Sequence, residues 1–215
     1  VMRLATGLAR PTSGEVRYGA EPVSSFSAER LARMRAVLSQ HVELVFPLPV
    51  ADVVMMGRYP HYGRVASARD REIVGHALEL VGMTHKRGQA YSTLSGGEQQ
   101  KVQLARVLAQ IWRDGASPGE PRTEPRYLFL DEPTSSLDVH YQLHLLDVAR
   151  GLLDQNCTVI AILHDLNVAF HYGDHFLLLE DGRVAFDGDS ADELPIEVLE
   201  RVFRVHARRV ADAGA

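Results

Sequence analysis

Three consecutive residues, Ser95-Gly96-Gly97, have the types and the placement of an anion-binding loop. They stand directly before a stretch of helical periodicity, so a hydroxyl and glycine N–H groups would lie at a helix N-terminus. The helix dipole favours negative charge there, and glycine lets a phosphate group approach the backbone closely. Taken alone, the same residues would more often be an ordinary serine cap followed by a glycine turn.

Two adjacent carboxylates, Asp131 and Glu132, follow the apolar run at residues 127–130. Such a run predicts a buried strand, and a carboxylate at its carboxyl end can reach a magnesium ion directly or through water. The next residue points elsewhere and can polarise an attacking water. Phosphoryl transfer needs a held metal and an oriented water, so the pair fits that chemistry. A lone Asp-Glu pair would more often be structural or solvated.

The hydrophobic pattern around these residues predicts an α/β fold. Apolar runs at residues 127–130 and 158–163 predict two parallel strands covered on both faces. Further elements are predicted as strands at 15–18 and 37–40, helices at 27–34, 50–56, 67–82, from Ser95 and at 195–205, and a hairpin at 176–186. Residues 113–126, rich in proline, glycine and charge, predict a surface loop.

Local signals refine two of these helices. Ser27 is the predicted N-cap of the helix at 27–34, and Gly82 is the predicted end of the helix at 67–82. The apolar face of the second helix is predicted to hold Ile73, Ala77, Leu80 and Val81.

In longer context, the two polar segments resemble motifs of ABC-type ATPases. Residues 93–100, Thr-Leu-Ser-Gly-Gly-Glu-Gln-Gln, are similar to the signature loop of that family, and residues 127–133 resemble its Walker B strand. The resemblance implies that Ser95, Gly96, Gly97 and Glu98 bind the γ-phosphate of ATP held by a partner subunit. It also implies that Asp131 serves Mg²⁺, that Glu132 is the catalytic glutamate, and that Asp138 belongs to a D-loop at the dimer interface.

Two further polar residues, one at the end of a predicted strand and one directly after a strand, match the family by order and spacing. Gln40 resembles the Q-loop glutamine, which contacts the nucleotide and its magnesium. His164 resembles the switch histidine, which contacts the γ-phosphate and helps to place the water. Without the neighbouring motifs, Gln40 would be read as a surface amide and His164 as a capping or solvated residue.

One motif of the family is not found in these 215 residues. A P-loop requires Gly-x-x-x-x-Gly-Lys-Ser/Thr, and the only lysines, Lys86 and Lys101, do not follow a glycine. The opening residues 1–8 resemble the helix that follows a P-loop, so we expect a domain that is incomplete at its N-terminus. We therefore expect little or no ATPase activity from the 215 residues alone.

The resemblance covers nearly the whole chain. It implies a single ABC ATPase domain over residues 1–215, built as a RecA-like P-loop NTPase core with a mostly parallel sheet and a helical subdomain at about residues 45–110. It also implies ATP and Mg²⁺ as cofactors and a head-to-tail homodimer. Transmembrane permease subunits and, indirectly, a periplasmic binding protein are the expected partners, at the cytoplasmic face of a bacterial inner membrane.

Residues 46–61 occupy the region where the family receives the coupling helix of its membrane partner. Phe46, Val53, Met56 and Tyr59 are the predicted coupling surface, although each residue could equally pack inside a small helical subdomain. Gly57-Arg58-Tyr59-Pro60-His61 resembles importers of iron chelates, haem and cobalamin. With Gln40-His41 and the insertion after Trp112, the chain most resembles the haem importers among them.

The amino-acid composition limits the function classes that remain for this chain. A net charge of −5 and a pI near 6.1 give no basic field for nucleic acid, and Cys157, the single cysteine, is predicted to be a buried thiol. No apolar run reaches the roughly 20 residues that span a bilayer. An importer of iron siderophores or cobalamin, a soluble ABC ATPase without a transport role, and a binding or regulatory module without hydrolysis remain as alternatives.

Overall fold

The computed structural model describes residues 1–39, 46–112, 125–133, 138–153 and 156–208. Two units are distinguished, Val1–Leu163 and His164–Ala215. The helices of the first unit are α1 (Met2–Ala5), α2 (Ala28–Met34), α3 (Val50–Met55), α4 (Ala68–Leu80), α5 (Gly96–Ile111) and α6 (Val139–Arg150). Its strands are β1 (Arg17–Tyr18), β2 (Glu21–Pro22), β3 (Arg35–Leu38), β4 (Arg126–Asp131) and β5 (Cys157–Ile162).

The main sheet of the first unit has the order β3-β4-β5, and both pairings are parallel. Continuous runs of apolar residues in β4 are explained by its central place, where Leu128 and Leu130 are fully buried. The prediction of a strand covered on both faces is therefore confirmed for β4. It is wrong for the end of β5, where Ile162 is 36% exposed, because β5 is an edge strand of the described sheet.

The thiol of Cys157 lies at the start of β5 and is buried, as the sequence predicts. Burial raises its pKa, which favours the neutral thiol.

Three helices pack together through the apolar faces that their periodicity predicts. Val53 of α3, Ile73 of α4 and Leu108 of α5 are all essentially inaccessible to solvent. Leu80 was wrongly placed on the buried face, since it is 40% exposed in the last turn of α4. The proposed subdomain at about residues 45–110 contains these helices and stays a prediction.

The predicted helix boundaries rest on local chemistry that the structure contains. Ser27 caps α2 by accepting a hydrogen bond from the N–H of Arg30. Gly82 follows α4 with φ +68°, a left-handed conformation that costs glycine no steric penalty. Both predictions are confirmed. The loop predicted at residues 113–126 lies mostly outside the described residues.

The second unit contains α7 (Leu166–Tyr172), β6 (Phe176–Glu180), β7 (Arg183–Gly188) and α8 (Ile196–Phe203). The strands β6 and β7 form an antiparallel hairpin, and Asp181 and Gly182 at its turn both have positive φ. The predicted hairpin and final helix are confirmed. Among the helices of the described residues, none has the length and the apolar composition to cross a membrane.

Candidate functional site

The carboxyl ends of three parallel strands meet at one edge of the main sheet. Leu38 pairs with Leu130, and Asp131 pairs with Ile162, so β3, β4 and β5 end side by side. Asp131 is the half-buried last residue of β4. Polar residues that follow such strand ends commonly form binding sites in α/β proteins. Gln40 follows β3 in the chain and lies outside the described residues.

Glu132 leaves the strand in an unusual backbone conformation. Its φ is +49°, in the left-handed region that few non-glycine residues adopt. The strand β4 ends at Asp131, and the chain leaves its extended conformation at Glu132. Such outliers cluster at functional sites, where a defined side-chain direction compensates for the strain. The carboxylates of Asp131 and Glu132 are both half-buried at this turn.

The Ser95-Gly96-Gly97 segment forms the N-terminus of α5, as its composition predicts. Ser95 is the N-cap, and its hydroxyl accepts a hydrogen bond from the N–H of Glu98 at 3.4 Å. The Oε2 of Glu98 accepts from both the N–H and the hydroxyl of Ser95, each at 2.9 Å. This reciprocal pattern is a capping box, and it fixes the first turn of the helix.

The first turn of α5 is open to a ligand. Ser95 and Gly96 are exposed, and Gly97 is half-buried. A Cβ added to Gly96 would meet no atom within 4 Å, so the packing of this chain does not require glycine at that position. The first N–H groups of any helix have no acceptor within the helix, which leaves them available to an anion.

Lys86 supplies a positive charge to this turn. Its Nζ lies 2.7 Å from the Oε1 of Glu98, and the two side chains are 26% and 29% exposed. The hydrogen bond from Lys86, with those from Ser95, lowers the pKa of Glu98 from its usual 4.5 to about 2. Glu98 is therefore a carboxylate at neutral pH, with one oxygen on Lys86 and the other on Ser95.

A hydrogen bond joins α5 to the residue that follows the two carboxylates. The side-chain amide of Gln100 donates to the carbonyl oxygen of Pro133 at 2.6 Å. The structure thus brings the first turns of α5 near the end of β4, within one unit.

The opposite end of α5 is held by basic side chains that bind its last carbonyl groups. Arg58 donates to the oxygen of Ala109 at 2.8 Å, and Arg126 donates to that of Ile111 at 2.6 Å. His61 contacts the oxygen of Gln110 through Nε2 at 2.6 Å, so Nε2 carries the proton. Burial lowers the pKa of His61, which keeps the ring neutral. Cationic donors at a helix C-terminus are also favoured by the helix dipole.

Arg58 also forms a buried ion pair. Its Nε lies 3.0 Å from the Oδ1 of Asp70, and the side chains are 8% and 7% exposed. Asp70 in turn closes a capping box with Ser67 at the start of α4. Burial raises the pKa of Asp70, but the hydrogen bonds from Ser67 and Arg58 outweigh it and leave that pKa below its usual value.

Contacts with α5 account for the residue types in the segment Gly57–His61. A Cβ on Gly57 would lie 2.1 Å from the backbone oxygen of Arg106, so only glycine allows the observed approach. Arg58 and His61 then reach the end of α5, while Tyr59 points outward and is 60% exposed. The segment thus packs against α5 and leaves one aromatic side chain, that of Tyr59, exposed to solvent.

The four residues of the predicted coupling surface differ in exposure. Phe46 is 72% exposed and Tyr59 is 60% exposed, whereas Met56 is half-buried. Val53 is fully buried between helices, so it cannot belong to a surface, and its inclusion was wrong. The resemblance assigned the whole region of residues 46–61 to coupling and did not distinguish the buried Val53 from its exposed neighbours.

Two other predicted site residues lie at helix N-termini. Asp138 caps α6 by accepting a hydrogen bond from the N–H of Tyr141 at 2.9 Å. His164 is the exposed first residue of the second unit, and the next residue, Asp165, caps α7. Residues 134–137 of the predicted D-loop lie outside the described residues.

Sequence reasoning missed the partners that hold both ends of α5. Lys86, Asp70 and Gln110 were not singled out, although Ser67-x-x-Asp70 and Ser95-x-x-Glu98 both carry the capping-box pattern. The amide of Gln110 donates to the carbonyl oxygens of Ala32 and Arg35. The contacts of Gln110 join residues that are far apart in the chain, so no local sequence pattern predicts them.

The described residues can contribute to a magnesium site but do not complete one. Asp131 offers a half-buried carboxylate oxygen, the ligand type that Mg²⁺ prefers. Across the described ranges, no group of three or more histidine, cysteine, aspartate or glutamate residues could hold a metal ion. A single carboxylate still fits, because Mg²⁺ is commonly bound by one or two carboxylates together with water and substrate phosphates.

Comparison with known proteins identifies close relatives. The profile of the ABC transporter family matches residues 1–114. The chain is 43% identical over 203 residues to the hemin import ATP-binding protein HmuV of Gloeobacter violaceus, covering 94% of this chain and 72% of that protein. It is 40% identical over 204 residues to the HmuV protein of Escherichia coli O157:H7, with 94% and 75% covered.

Solved structures give the same fold. A metal-chelate type ABC transporter in an inward-facing conformation superposes with a TM-score of 0.74 at 25% identity, over 95% of this chain and 73% of that one. A dimeric ATP-binding cassette bound to ADP and Pi superposes with a TM-score of 0.70 at 22% identity, over 87% and 78%. The second likeness concerns the fold alone.

Proposed function

The chain belongs to the ABC transporter family, and on that basis we propose that it is the ATP-binding subunit of a bacterial haem importer. The relatives at 40% and 43% identity are named hemin import ATP-binding proteins, which supports haem as the cargo. In this proposal, ATP hydrolysis between two copies of the subunit drives the transport.

The observation that carries the proposal is the exposed N-terminus of α5. Ser95 and Gly96 are accessible, and Gly96 has open space where a side chain would stand. We propose that Ser95, Gly96, Gly97 and Glu98 form the signature site for the γ-phosphate of ATP bound to a second copy. The helix dipole and the backbone N–H groups of Gly96 and Gly97 supply the attraction.

The two carboxylates after β4 have distinct roles in the proposal. Asp131, half-buried at the strand end, serves the metal, and Glu132 orients and polarises the attacking water. The chemistry that Mg²⁺ supplies when bound is neutralisation of phosphate charge. Gln40 is proposed as a further contact to the nucleotide and metal, Asp138 as an interface residue, and His164 as the histidine that contacts the γ-phosphate.

The coupling partner is proposed to be a transmembrane permease. Phe46 and Tyr59 are exposed aromatic side chains, and Tyr59 is presented by a segment that is seated on α5. The subunit is proposed to lie at the cytoplasmic face of the inner membrane, bound to the permease, with a periplasmic binding protein as the indirect source of haem.

The catalytic part of the proposal is tested on the gene product that contains these residues, with MgATP hydrolysis as the measurement. We expect Glu132→Gln to abolish hydrolysis while retaining a dimer that forms with ATP, because the water is no longer polarised. Gly96→Ala is expected to keep the fold and to lose the ATP-dependent dimer, since the new methyl group stands where the phosphate must approach.

Gly88→Ala is the matched control, because its added Cβ also meets no atom within 4 Å but lies before the signature. Equal effects of the two alanine variants would contradict the assigned phosphate site. The 215 residues alone contain no P-loop motif, and we propose that they show little or no hydrolysis.

The cargo is tested separately in proteoliposomes that contain the subunit and its proposed permease partner. ATP-dependent uptake of haem, with none of cobalamin or ferric siderophore, is the expected result. Uptake of cobalamin or siderophore instead would overturn haem as the substrate and leave the ATPase assignment intact. The lack of a permease gene beside the reading frame would favour a soluble ABC ATPase without a transport role.

A further inference from the structure

Lys86 is one of two lysines in the chain, and the two lysines make different contacts. The Nζ of Lys101 lies 4.1 Å from the ring centroid of Tyr141, so this lysine joins α5 to α6. Lys86 stands in the short helical turn Thr84–Lys86, before the signature, and its Nζ contacts the Oε1 of Glu98 at 2.7 Å. Lys86 is thus the lysine that serves the N-terminus of α5.

The carboxylate of Glu98 lies in the first turn of α5, where its negative charge disfavours phosphate binding. Its second oxygen accepts from the N–H and the hydroxyl of Ser95, which fixes the carboxylate within the first turn of α5. A negative charge held there repels an incoming phosphate and competes with it for the same helix terminus. The charge of Glu98 must be offset if the turn is to bind an anion well.

We propose that Lys86 is a positioning residue that sets the phosphate affinity of the signature loop by offsetting the charge of Glu98 and holding its carboxylate on Ser95. This inference rests on the proposed function, since the ligand is the terminal phosphate of ATP bound to a second copy. The partly exposed pair can adjust when the phosphate arrives, because both side chains border solvent.

Four variants separate this role from a structural one by the direction of their effects on phosphate binding. Lys86→Gln leaves an uncompensated carboxylate and weakens phosphate binding. Glu98→Gln leaves an uncompensated lysine and strengthens binding, while the glutamine preserves the capping box. The double variant removes both charges and returns the affinity close to that of the parent. Lys86→Arg keeps the charge and is expected to restore most of the affinity.

The experiment measures dimer formation against MgATP concentration by light scattering, with Glu132→Gln in every protein so that ATP persists. We use the gene product that contains these residues. The half-maximal concentration is expected to rise roughly three- to fivefold for Lys86→Gln and to fall by a similar factor for Glu98→Gln, the range of partly exposed ion pairs. In hydrolysis assays without Glu132→Gln, the same shifts are expected in KM.

A structural role gives a different outcome. If the pair only stabilises the loop, both single variants weaken dimer formation and lower the unfolding midpoint together, and the inference is overturned. Unchanged affinity in both single variants overturns it as well. A parent protein that does not dimerise with ATP contradicts the proposed function, and the inference falls with it. A parent that dimerises while its variants lack opposite shifts contradicts the inference alone.

Discussion

The starts of α4 and α5 are built to the same plan and differ in burial. Each begins with a serine whose N–H and hydroxyl bind a carboxylate three residues later, Asp70 in α4 and Glu98 in α5. Each carboxylate gives its other oxygen to one basic side chain. The buried pair is 8% and 7% exposed, and the pair at the signature is 26% and 29% exposed.

The difference in burial distinguishes a cap that stabilises the fold from one that, in our proposal, lies at a ligand-binding site. At α4 the guanidinium of Arg58 also binds the last turn of α5, so the whole ion pair is desolvated and its partners are fixed. At α5 the ion pair with Lys86 is partly exposed, and the neighbouring Ser95 and Gly96 are exposed. The same local chemistry thus gives stability in one place and, in our proposal, phosphate binding in the other.

The largest loss of unfolding free energy is expected when the buried carboxylate of Asp70 is removed. Asp70→Ala leaves the guanidinium of Arg58 buried without a counter-charge, which costs about 3–5 kcal/mol of unfolding free energy. Urea denaturation of Asp70→Ala and of Glu98→Ala measures the contrast, because the second variant acts on the exposed pair and is expected to lose far less. Similar losses would show that burial does not distinguish the two caps.

The next effect concerns the close approach that brings Arg58 to Asp70. Gly57→Ala places a methyl group 2.1 Å from the backbone oxygen of Arg106, so the segment must move away from α5. We expect a loss of about 1–3 kcal/mol by urea denaturation, the range for overpacked sites. Gly96→Ala is the control, since it meets no atom and is expected to lose no stability. An unaffected Gly57→Ala protein would argue against the described contact.

A smaller effect is expected at the serines, where the two caps should be alike. Ser67→Ala and Ser95→Ala each remove an N-cap hydroxyl, which typically contributes about 1 kcal/mol. The fall in the unfolding midpoint measures each contribution. If Ser95→Ala has no effect while Ser67→Ala does, the capping box of α5 does not form in the free protein, and the comparison fails at that point.

The smallest effect is the acid dependence of the signature cap. The pKa of Glu98 is lowered from 4.5 to about 2, so its stabilising contribution is complete above about pH 4.5 and is lost as the pH falls towards 2. Glu98→Gln lacks this contribution at every pH, and Asp70 titrates equally in both proteins. The stability difference between parent and variant is therefore expected to shrink over that interval, and a constant difference would contradict it.

Local patterns sufficed for the elements whose environment is uniform along their length. The apolar run of β4 and the helical periodicity of α5 predicted buried elements because each has neighbours on its apolar sides. The same reasoning failed for Ile162 and Leu80, because hydrophobicity along the chain does not say how many neighbours an element has at its end. The hairpin of β6 and β7 was predictable from its turn residues.

The signature and the two carboxylates were predicted largely by resemblance, whereas their supporting contacts were not. Arg58 reaches Asp70 and Ala109 across twelve and 51 positions of the chain. No periodicity connects residues at such separations, since their meeting depends on the packing of α4 against α5. The buried location of Val53 depended on the same packing and was missed for that reason.

Cys157 gives the protein a built-in chemical reporter. It is the single cysteine of the chain and is 3% exposed at the first position of β5. A thiol reagent can modify it only when that part of the sheet opens, so the labelling rate of the native protein measures the free energy of opening. A cysteine placed at the exposed Tyr59 would react first, which allows a fluorophore on the proposed coupling surface without removing any native residue elsewhere.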